Sequence, residues 1–176
     1  MQLEFDRHGL LEFLPQGGIC AELGVDKAYY SQQILDKNKP NKLFLIDSWA
    51  NMLTSHEHDE THNQKYNKVK IMFENDQRVT LIKKDTTQCV NDFDNDYFDW
   101  IYIDADHHYE PCLNDLTQWS SKVKTNGYIC GHDWITKPKK GFGVNQAVEE
   151  FLRTTNNKFI GTTSETNFKS YVIQKT

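Results

Sequence analysis

Two short apolar runs near the start of the chain each end on an acidic residue. The first covers residues 18–23, contains Glu22 and is followed by Gly24, and the second covers residues 43–46 and is followed by Asp47. A stretch of helical character lies between the two runs. Two strands that finish on acids and are joined by a helix predict the first half of a nucleotide-type βαβ unit.

The charge at the first strand–helix bend limits the ligand that such a unit could bind. A dinucleotide site uses three glycines and bare backbone N–H groups aimed at a pyrophosphate, whereas here the carboxylate of Glu22 would repel phosphates. Asp47 could hydrogen-bond a ribose diol. A ligand that contains adenosine but carries an ammonium and a sulfonium fits both acids, and S-adenosylmethionine is such a ligand.

Composition indicates one globular domain, 1–176, with a sizeable core. Mean hydropathy is −0.73, yet ten Phe, eight Tyr and four Trp supply bulky core side chains. The formal net charge is −5 and no basic stripe is visible, so we expect no nucleic-acid partner. The aromatic content would permit a homodimer.

The cellular location is predicted from the N-terminal residues, the apolar runs and the cysteines. The first residues lack the basic start and apolar core of a signal peptide, and no run approaches membrane-spanning length, so we expect no membrane partner. The four cysteines are scattered without a CxxC pair, which predicts buried free thiols in a cytoplasmic protein.

Alternating strands and helices predict a single open α/β sheet. Within the domain we distinguish an N-terminal helix and turn at 1–17 and a lid-like helical insertion at 50–76. The predicted elements are a helix at 6–14, strands at 19–24 and 43–47 around a helix at 27–36, a helix in the second half of 51–75, strands at 79–82 and 98–104, a helix with Pro111 in its first turn, a strand at 128–130, a helix at 144–152, and a hairpin of 158–162 with 170–174.

Polar residues follow every predicted parallel strand. Ligands bind beyond the carboxyl ends of the strands in such sheets, and an acid at five of five strand ends favours a binding site over a solvated surface. The residues are Glu22 and Gly24, Asp47 and Ser48, Asp85 and Thr86, Asp104 and Asp106, and His132 and Asp133.

Three segments resemble the class I S-adenosylmethionine-dependent methyltransferases, and more narrowly methyltransferase family 24. They are residues 21–25 with Tyr30 and Ser31, residues 98–110 continuing through Asp115 and Trp119 to 127–133, and residues 142–151. The resemblance covers the chain from about residue 18 to its end. It departs from the family pattern at Ala28, where a glycine is common.

The resemblance implies a Rossmann-like, doubly wound and mostly parallel seven-strand sheet with an antiparallel C-terminal hairpin and helices on both faces. It also implies contacts with S-adenosylmethionine at the strand ends. These are Glu22, Gly24 and Ser31 at the methionine part, Asp47 and Ser48 at the ribose, Asp85 and Thr86 at the adenine, and Asp104 at the end of the fourth strand.

Methyl transfer requires that the acceptor be aligned and, for a hydroxyl, that its proton be removed. The residues around 104–108 and 132–133 are predicted to perform these two tasks. In one interpretation Asp104 and Asp133 bind Mg²⁺ or another divalent cation, which takes the acceptor oxygen; acids at similar places in related sugar and catechol O-methyltransferases favour it. In the other, His107 or His132 is the general base and the acids orient it. The set could also hold Zn²⁺ or Fe²⁺.

Several residues have a structural alternative. Trp100 and Trp119 are expected in the core, whereas Trp134 and Phe142 flank the mouth of the site. Of the two adjacent histidines at 107 and 108, we expect one to touch ligand. The histidines at 56, 58 and 62 fit a solvated lid over the cofactor better than a metal site, because the HExxH order is missing.

The leading hypothesis is a methyltransferase that acts on a small-molecule acceptor, most plausibly a hydroxyl oxygen of a sugar or secondary metabolite. The alternative is a non-catalytic cofactor-binding module of the same fold within a glycan or natural-product assembly. A nicotinamide dehydrogenase ranks third, since Glu22 and the missing glycines oppose it.

Overall fold

The computed structural model of the chain describes residues 1–50 and 61–176. The described elements are α1 (Arg7–Phe13), β1 (Ile19–Leu23), α2 (Tyr29–Gln33) with a π-helical turn (Ile34–Asn38), β2 (Lys42–Asp47), α3 (His62–Phe73), β3 (Val79–Lys83), α4 (Thr86–Cys89) with a 3-10 turn (Val90–Asp92), β4 (Phe98–Ile103), α5 (Tyr109–Ser120), β5 (Val123–Trp134), α6 (Val144–Thr154), β6 (Lys158–Thr162) and β7 (Lys169–Gln174).

Within this part of the chain, the strands form one seven-stranded sheet in the order β3-β2-β1-β4-β5-β7-β6. Strands β1 to β5 are parallel, and β7 is antiparallel to both β5 and β6. The predicted doubly wound sheet with an antiparallel C-terminal hairpin is therefore confirmed. The strand order reverses between β1 and β4, and ligands bind at such a switch point.

Both faces of the central strands are covered, which explains their continuous apolar sequence. In β4, Trp100 and Tyr102 pack with residues of α1, α2 and α3, and Ile101 and Ile103 pack on the opposite face with residues of α4, α5 and α6. Trp119 on α5 is also fully buried. The assignment of Trp100 and Trp119 to the core is confirmed.

Some element bounds differ from the prediction. β5 is much longer than 128–130, because its register against β4 and β7 shifts and the strand continues through the irregularities. The four-residue α4 is too short to show a helical period in the sequence. The predicted helix in the second half of 51–75 is confirmed as α3, while the histidines at 56 and 58 lie outside the described residues.

The first residues of the chain run along the C-terminal hairpin. Gln2 forms a parallel bridge with Thr162 at the end of β6, and the backbone N–H of Ser164 donates to the carbonyl of Phe5 at 2.9 Å. Asp6 then caps α1 by accepting from two backbone N–H groups. This route brings Arg7 to the carboxyl end of β4.

All four cysteines are buried and free, as the sequence predicted. Among the helices in residues 1–50 and 61–176, none is long and apolar enough to cross a membrane.

Candidate active site

A cavity of about 780 Å³ opens at the carboxyl ends of β1, β2, β3 and β4. This volume is within the range typical of small-molecule sites, roughly 300–1,000 Å³. Six of the eight residues predicted to contact the cofactor line it, namely Gly24, Asp47, Ser48, Asp85, Thr86 and Asp104. Strand ends that are distant in sequence thus meet around one space.

The cavity wall is strongly acidic. The described lining residues include no lysine and no arginine, and the acidic ones are Asp26, Asp47, Asp85, Asp104, Asp106, Glu110 and Asp115. Such a wall attracts a cationic ligand and disfavours a diphosphate. An adenosyl sulfonium with an ammonium group fits this charge distribution.

Glu22 and Ser31 are not on the cavity wall in the described structure. Glu22 is 1 % exposed, and its carboxyl group accepts a short hydrogen bond from the Ser31 hydroxyl beneath the first bend. Burial raises the pKa of Glu22 to about 8, so the group is largely neutral at pH 7. Glu22 therefore does not supply the negative charge expected from the sequence, and the acids that line the cavity supply it instead.

The buried Glu22 carboxyl predicts a pH-dependent stability. Between its unfolded pKa of about 4.5 and its folded pKa of about 8, the folded state holds a proton that the unfolded state has lost, so the free energy of unfolding falls as pH rises. Glu22→Gln is expected to remove a slope of up to about 1.4 kcal/mol per pH unit. Urea denaturation at pH 5, 6, 7 and 8 measures it, with exposed Glu12→Gln as control. Equal slopes in wild type and Glu22→Gln would contradict the assignment.

Asp47 joins the loops that follow β1 and β2. Its Oδ2 accepts from the backbone N–H groups of Val25 at 2.8 Å and Asp26 at 3.0 Å, and its Oδ1 accepts from that of Trp49 at 2.7 Å. The indole of Trp49 donates to the Asp26 carbonyl at 3.0 Å. The carboxylate predicted to hold the ribose thus also shapes the cavity wall around it.

At the first bend, Gly24 passes very close to the end of β4. Its φ is +89°, and a Cβ placed there would lie 2.1 Å from the carbonyl oxygen of Asp104. Only glycine combines this backbone conformation with that approach. The close passage brings the loop after β1 and the loop after β4 to the same part of the cavity.

Asp115 is a buried acid of the site to which the sequence gave no role. It projects from α5 into the cavity wall near the end of β3, 4 % exposed, and accepts from the Thr86 hydroxyl at 2.6 Å. Burial raises its pKa to about 6, although the bond from Thr86 works in the opposite direction. The predicted adenine residues Asp85 and Thr86 therefore share this end of the cavity with a third acid.

Arg7 is a basic residue that does not line the cavity but pairs with Asp104, which does. Its Nη2 lies 2.7 Å from Oδ2 of Asp104, and its guanidinium lies 3.8 Å above the ring of Tyr30. Burial raises the pKa of Asp104, while the charges of Arg7 and His132 partly counter the effect. No sequence motif pointed to Arg7, because it precedes the segments that resemble the family.

His132 and Asp133 at the end of β5 lie next to Asp104. The Nδ1 atom of His132 is 3.1 Å from Asp133 Oδ1 and 3.7 Å from Asp104 Oδ1, and His107 Nδ1 is 3.8 Å from Asp133 Oδ2. Burial opposes ionisation of Asp133, but the contacts with His132 and the charges of His132 and His107 outweigh it and lower its pKa. The structure thus brings together all four predicted catalytic and metal residues.

An aromatic stack fastens the loop before α6 to this cluster. The ring of His107 stacks on that of Phe142 with centroids 4.1 Å apart, and Lys139 lies over the Phe142 ring at 4.4 Å. His108 packs on His107 from the other direction. Trp134 instead stacks on Phe159. Phe142 is thus held beside the catalytic cluster, whereas Trp134 packs towards the C-terminal hairpin.

The donor atoms present are suitable for a divalent cation. Asp104, His132 and Asp133 each place one ligand atom within 4.8 Å of the other two, and carboxylate with imidazole is a common donor combination. However, Oδ2 of Asp104 already pairs with Arg7. The fixed positive charge of Arg7 opposes a second cation at that carboxylate.

Comparison with known proteins identifies the family. A family model described as a methyltransferase domain, of family 24, matches residues 21–134. This match includes every predicted site residue from Glu22 to Asp133. No curated protein sequence matches the chain.

Solved structures with the same fold share little sequence with this chain. A "putative rRNA-methylase" from Clostridium thermocellum has a TM-score of 0.70 at 14% identity, with all of both chains covered. A "putative methyltransferase" from Streptococcus mutans in complex with SAH has a TM-score of 0.68 at 14% identity, covering 96% of this chain and 95% of that one. A tRNA methyltransferase from B. subtilis has a TM-score of 0.67 at 12% identity, covering 99% and 68%.

The sequence-based exclusion of nucleic acid is wrong. Structures of this fold include proteins described as acting on rRNA and tRNA, and a net charge of −5 sums over a surface that is not uniform. The exposed loop beside His107 carries Lys137, Lys139 and Lys140. Because Lys139 lies over the Phe142 ring, which stacks on His107, the formal charge of the whole chain does not describe the surface beside the catalytic cluster.

The matched family model spans more than half of the sequence, and the sheet order, the acidic cavity and the strand-end residues agree with it. The fold and the family predicted from residues 21–25, 98–133 and 142–151 are confirmed. This chain belongs to methyltransferase family 24, among the class I S-adenosylmethionine-dependent methyltransferases.

Proposed function

We propose that this protein transfers the methyl group of S-adenosylmethionine to a hydroxyl oxygen of a small-molecule acceptor, most plausibly a sugar or secondary metabolite. The observation that carries the proposal is the His132–Asp133 pair beside the cofactor-sized cavity, in which Nδ1 of His132 lies 3.7 Å from the cavity-lining Asp104. A hydroxyl acceptor requires proton removal, and this pair supplies a base with a carboxylate that orients it.

The cofactor supplies an electrophilic methyl group and leaves as the thioether S-adenosylhomocysteine. Asp47 and Ser48 are proposed to hold its ribose, Asp85 and Thr86 its adenine, and Asp104 its methionine part. Asp133 faces Nδ1 of His132, so Nε2 is the ring atom available to take the hydroxyl proton as the oxygen–methyl bond forms. His107 lies on the other side of Asp133 and helps to keep that acid ionised.

His132→Asn is expected to lower kcat by about 10²–10⁴-fold, the range typical of a lost general base, because asparagine cannot accept the proton. The Kd for S-adenosylhomocysteine should change less than about two-fold, since the cavity of 780 Å³ is not lined by His132. Release of S-adenosylhomocysteine measures kcat, and calorimetry measures Kd. The exposed His8→Asn serves as control. An unchanged kcat in His132→Asn would reject the base assignment.

The acceptor class is tested by the same release assay on a library of sugars, polyols and phenols, with tRNA and rRNA fragments as a parallel arm. Turnover with a hydroxylated small molecule supports the proposal, and turnover with RNA alone overturns it. Binding of S-adenosylhomocysteine without turnover of any acceptor favours the non-catalytic module.

A divalent cation at Asp104 and Asp133 is the second proposal for the same cluster, supported by the three donor atoms within 4.8 Å of one another. Activity in the presence of EDTA distinguishes the divalent cation from His132 acting as base without metal. A cation that takes the acceptor oxygen predicts loss of activity in EDTA and its recovery with Mg²⁺. His132 acting as base without metal predicts full activity in EDTA.

A further inference from the structure

Arg7 lies outside every motif that the family match covers, yet it reaches the active site. It is the first residue of α1, and its guanidinium occupies the space between Asp104 and the rings of Tyr30 and Tyr102. Its side chain is 22% exposed. Although burial lowers its pKa, the neighbouring Tyr102 and Asp104 raise it further, so the guanidinium stays charged. A partly buried, fixed cation paired with an acid of the cavity wall requires an explanation.

Main-chain hydrogen bonds hold the backbone of Arg7 in place. The backbone N–H of Arg7 donates to the carboxylate of Glu165 in the loop between β6 and β7. Residues Leu3 and Ser164 add backbone hydrogen bonds between the N-terminal segment and the C-terminal hairpin. The segment is therefore fastened by main-chain contacts, and we expect α1 to stay in place when the guanidinium is removed.

The charges around Arg7 are incomplete. Asp104 pairs with Nη2, but Nε of Arg7 is buried and has no hydrogen-bond partner among the described residues. Of the other nearby acids, Glu22 is largely neutral at pH 7, Glu165 accepts from the backbone N–H of Arg7, and Asp133 is in contact with His132. Asp104 is the one carboxylate that the described structure pairs with the guanidinium, and a planar fork of N–H donors suits a second carboxylate.

A ligand with both an ammonium and a carboxylate matches the pair Arg7 and Asp104. Asp104 lines the cavity, so an ammonium bound there would face the guanidinium and be repelled by it unless an anion came with it. The amino-acid end of S-adenosylmethionine carries that anion. Each charge of the zwitterion then meets an opposite charge of the protein.

We propose that Arg7 binds the α-carboxylate of S-adenosylmethionine while Asp104 binds its α-ammonium, so that the N-terminal helix contributes a specificity-determining residue for the cofactor. This inference rests on the proposed function, in that it requires the cavity to bind S-adenosylmethionine. The adenosine part would contact the ends of β2 and β3, away from Arg7.

The test compares two ligands that differ only in the amino-acid end. S-adenosylhomocysteine has that end, and 5′-methylthioadenosine lacks it. Calorimetry on Arg7→Met is expected to show a Kd for S-adenosylhomocysteine raised about 10- to 100-fold, the range typical of a lost hydrogen bond to a charged group. The Kd for 5′-methylthioadenosine should change less than about two-fold. Arg7→Lys should recover part of the loss, because it restores the charge without the fork.

Arg153→Met is the matched control, since Arg153 is an exposed arginine on α6, and it should bind both ligands as the wild type does. A loss in Arg7→Met that is equal for the two ligands, or no loss, would overturn the inference while leaving the proposed cofactor intact. Failure of the wild type to bind either ligand would overturn both this inference and the proposed cofactor. Decarboxylated S-adenosylmethionine gives an independent measurement on the wild type, which should bind it at least about ten-fold more weakly than S-adenosylmethionine.

Discussion

Gly24→Ala is expected to lower the free energy of unfolding by at least about 3 kcal/mol. The substitution combines two costs, a positive φ that alanine adopts unfavourably and a Cβ that would lie 2.1 Å from the Asp104 carbonyl oxygen. Backbone strain costs roughly 1–3 kcal/mol, and forced repacking a similar amount. The position of the Cβ is set by the backbone, and its neighbour is a backbone carbonyl oxygen. No side-chain rotation can therefore relieve the contact. Urea denaturation followed by circular dichroism measures the loss.

Gly17→Ala separates the two costs. Gly17 also has a positive φ, of +68°, but the nearest atom to a Cβ there is the Asn41 side-chain nitrogen at 3.9 Å. This control should lose only about 1 kcal/mol. Similar losses in the two variants would show that the approach of the first bend to the end of β4 is not tight. Gly24→Ala should also weaken binding of S-adenosylhomocysteine, because the bend must move away from Asp104.

Asp104→Asn is expected to raise the Kd for S-adenosylhomocysteine by about 30-fold or more. The carboxylate is the proposed partner of the α-ammonium, and its removal also leaves the Arg7 guanidinium without its 2.7 Å ion pair. Removing one partner of a desolvated, hydrogen-bonded charge pair costs about 2–5 kcal/mol. Calorimetry provides the Kd, and thermal melting checks that the variant folds.

The control is Asp96→Asn, whose side chain is exposed and pairs with Lys175 on the surface. An exposed pair of this kind contributes little, so cofactor affinity should not change. The double variant Arg7→Met with Asp104→Asn should lose less than the sum of the single variants, because the two side chains act on the same zwitterion. A Kd for Asp104→Asn within about three-fold of the wild type would contradict the assignment of the ammonium to this residue.

The strands of the sheet were predictable because burial on both faces leaves a continuous apolar run in the sequence. β4 is the clearest example, since five of its six residues are apolar and pack against helices on both faces. β5 was predicted too short, because the polar residues 124–126 interrupt the apolar pattern while the backbone continues to pair. α4 was missed because one helical turn has no period.

The site was partly predictable from the rule that ligands bind beyond the carboxyl ends of parallel strands. Residues at or just beyond the ends of strands, such as Asp47, Asp104 and Asp133, were identified in this way. Asp115 was not assigned a role, because it lies within a helix, where an acid usually faces solvent. Arg7 was missed because its approach to the site depends on the N-terminal segment pairing with the C-terminal hairpin, a contact between opposite ends of the chain.

The sequence by itself determined the order of strands and helices, the family and the acidic character of the strand ends, since these follow from local patterns of apolar and charged residues. The tertiary structure alone decided which acids line the cavity. Glu22 is neutral beneath the bend, while Asp104 lies between Arg7 and His132. The physical reason is that ionisation and contact depend on burial and on neighbours brought together by the fold, which spacing along the chain does not specify.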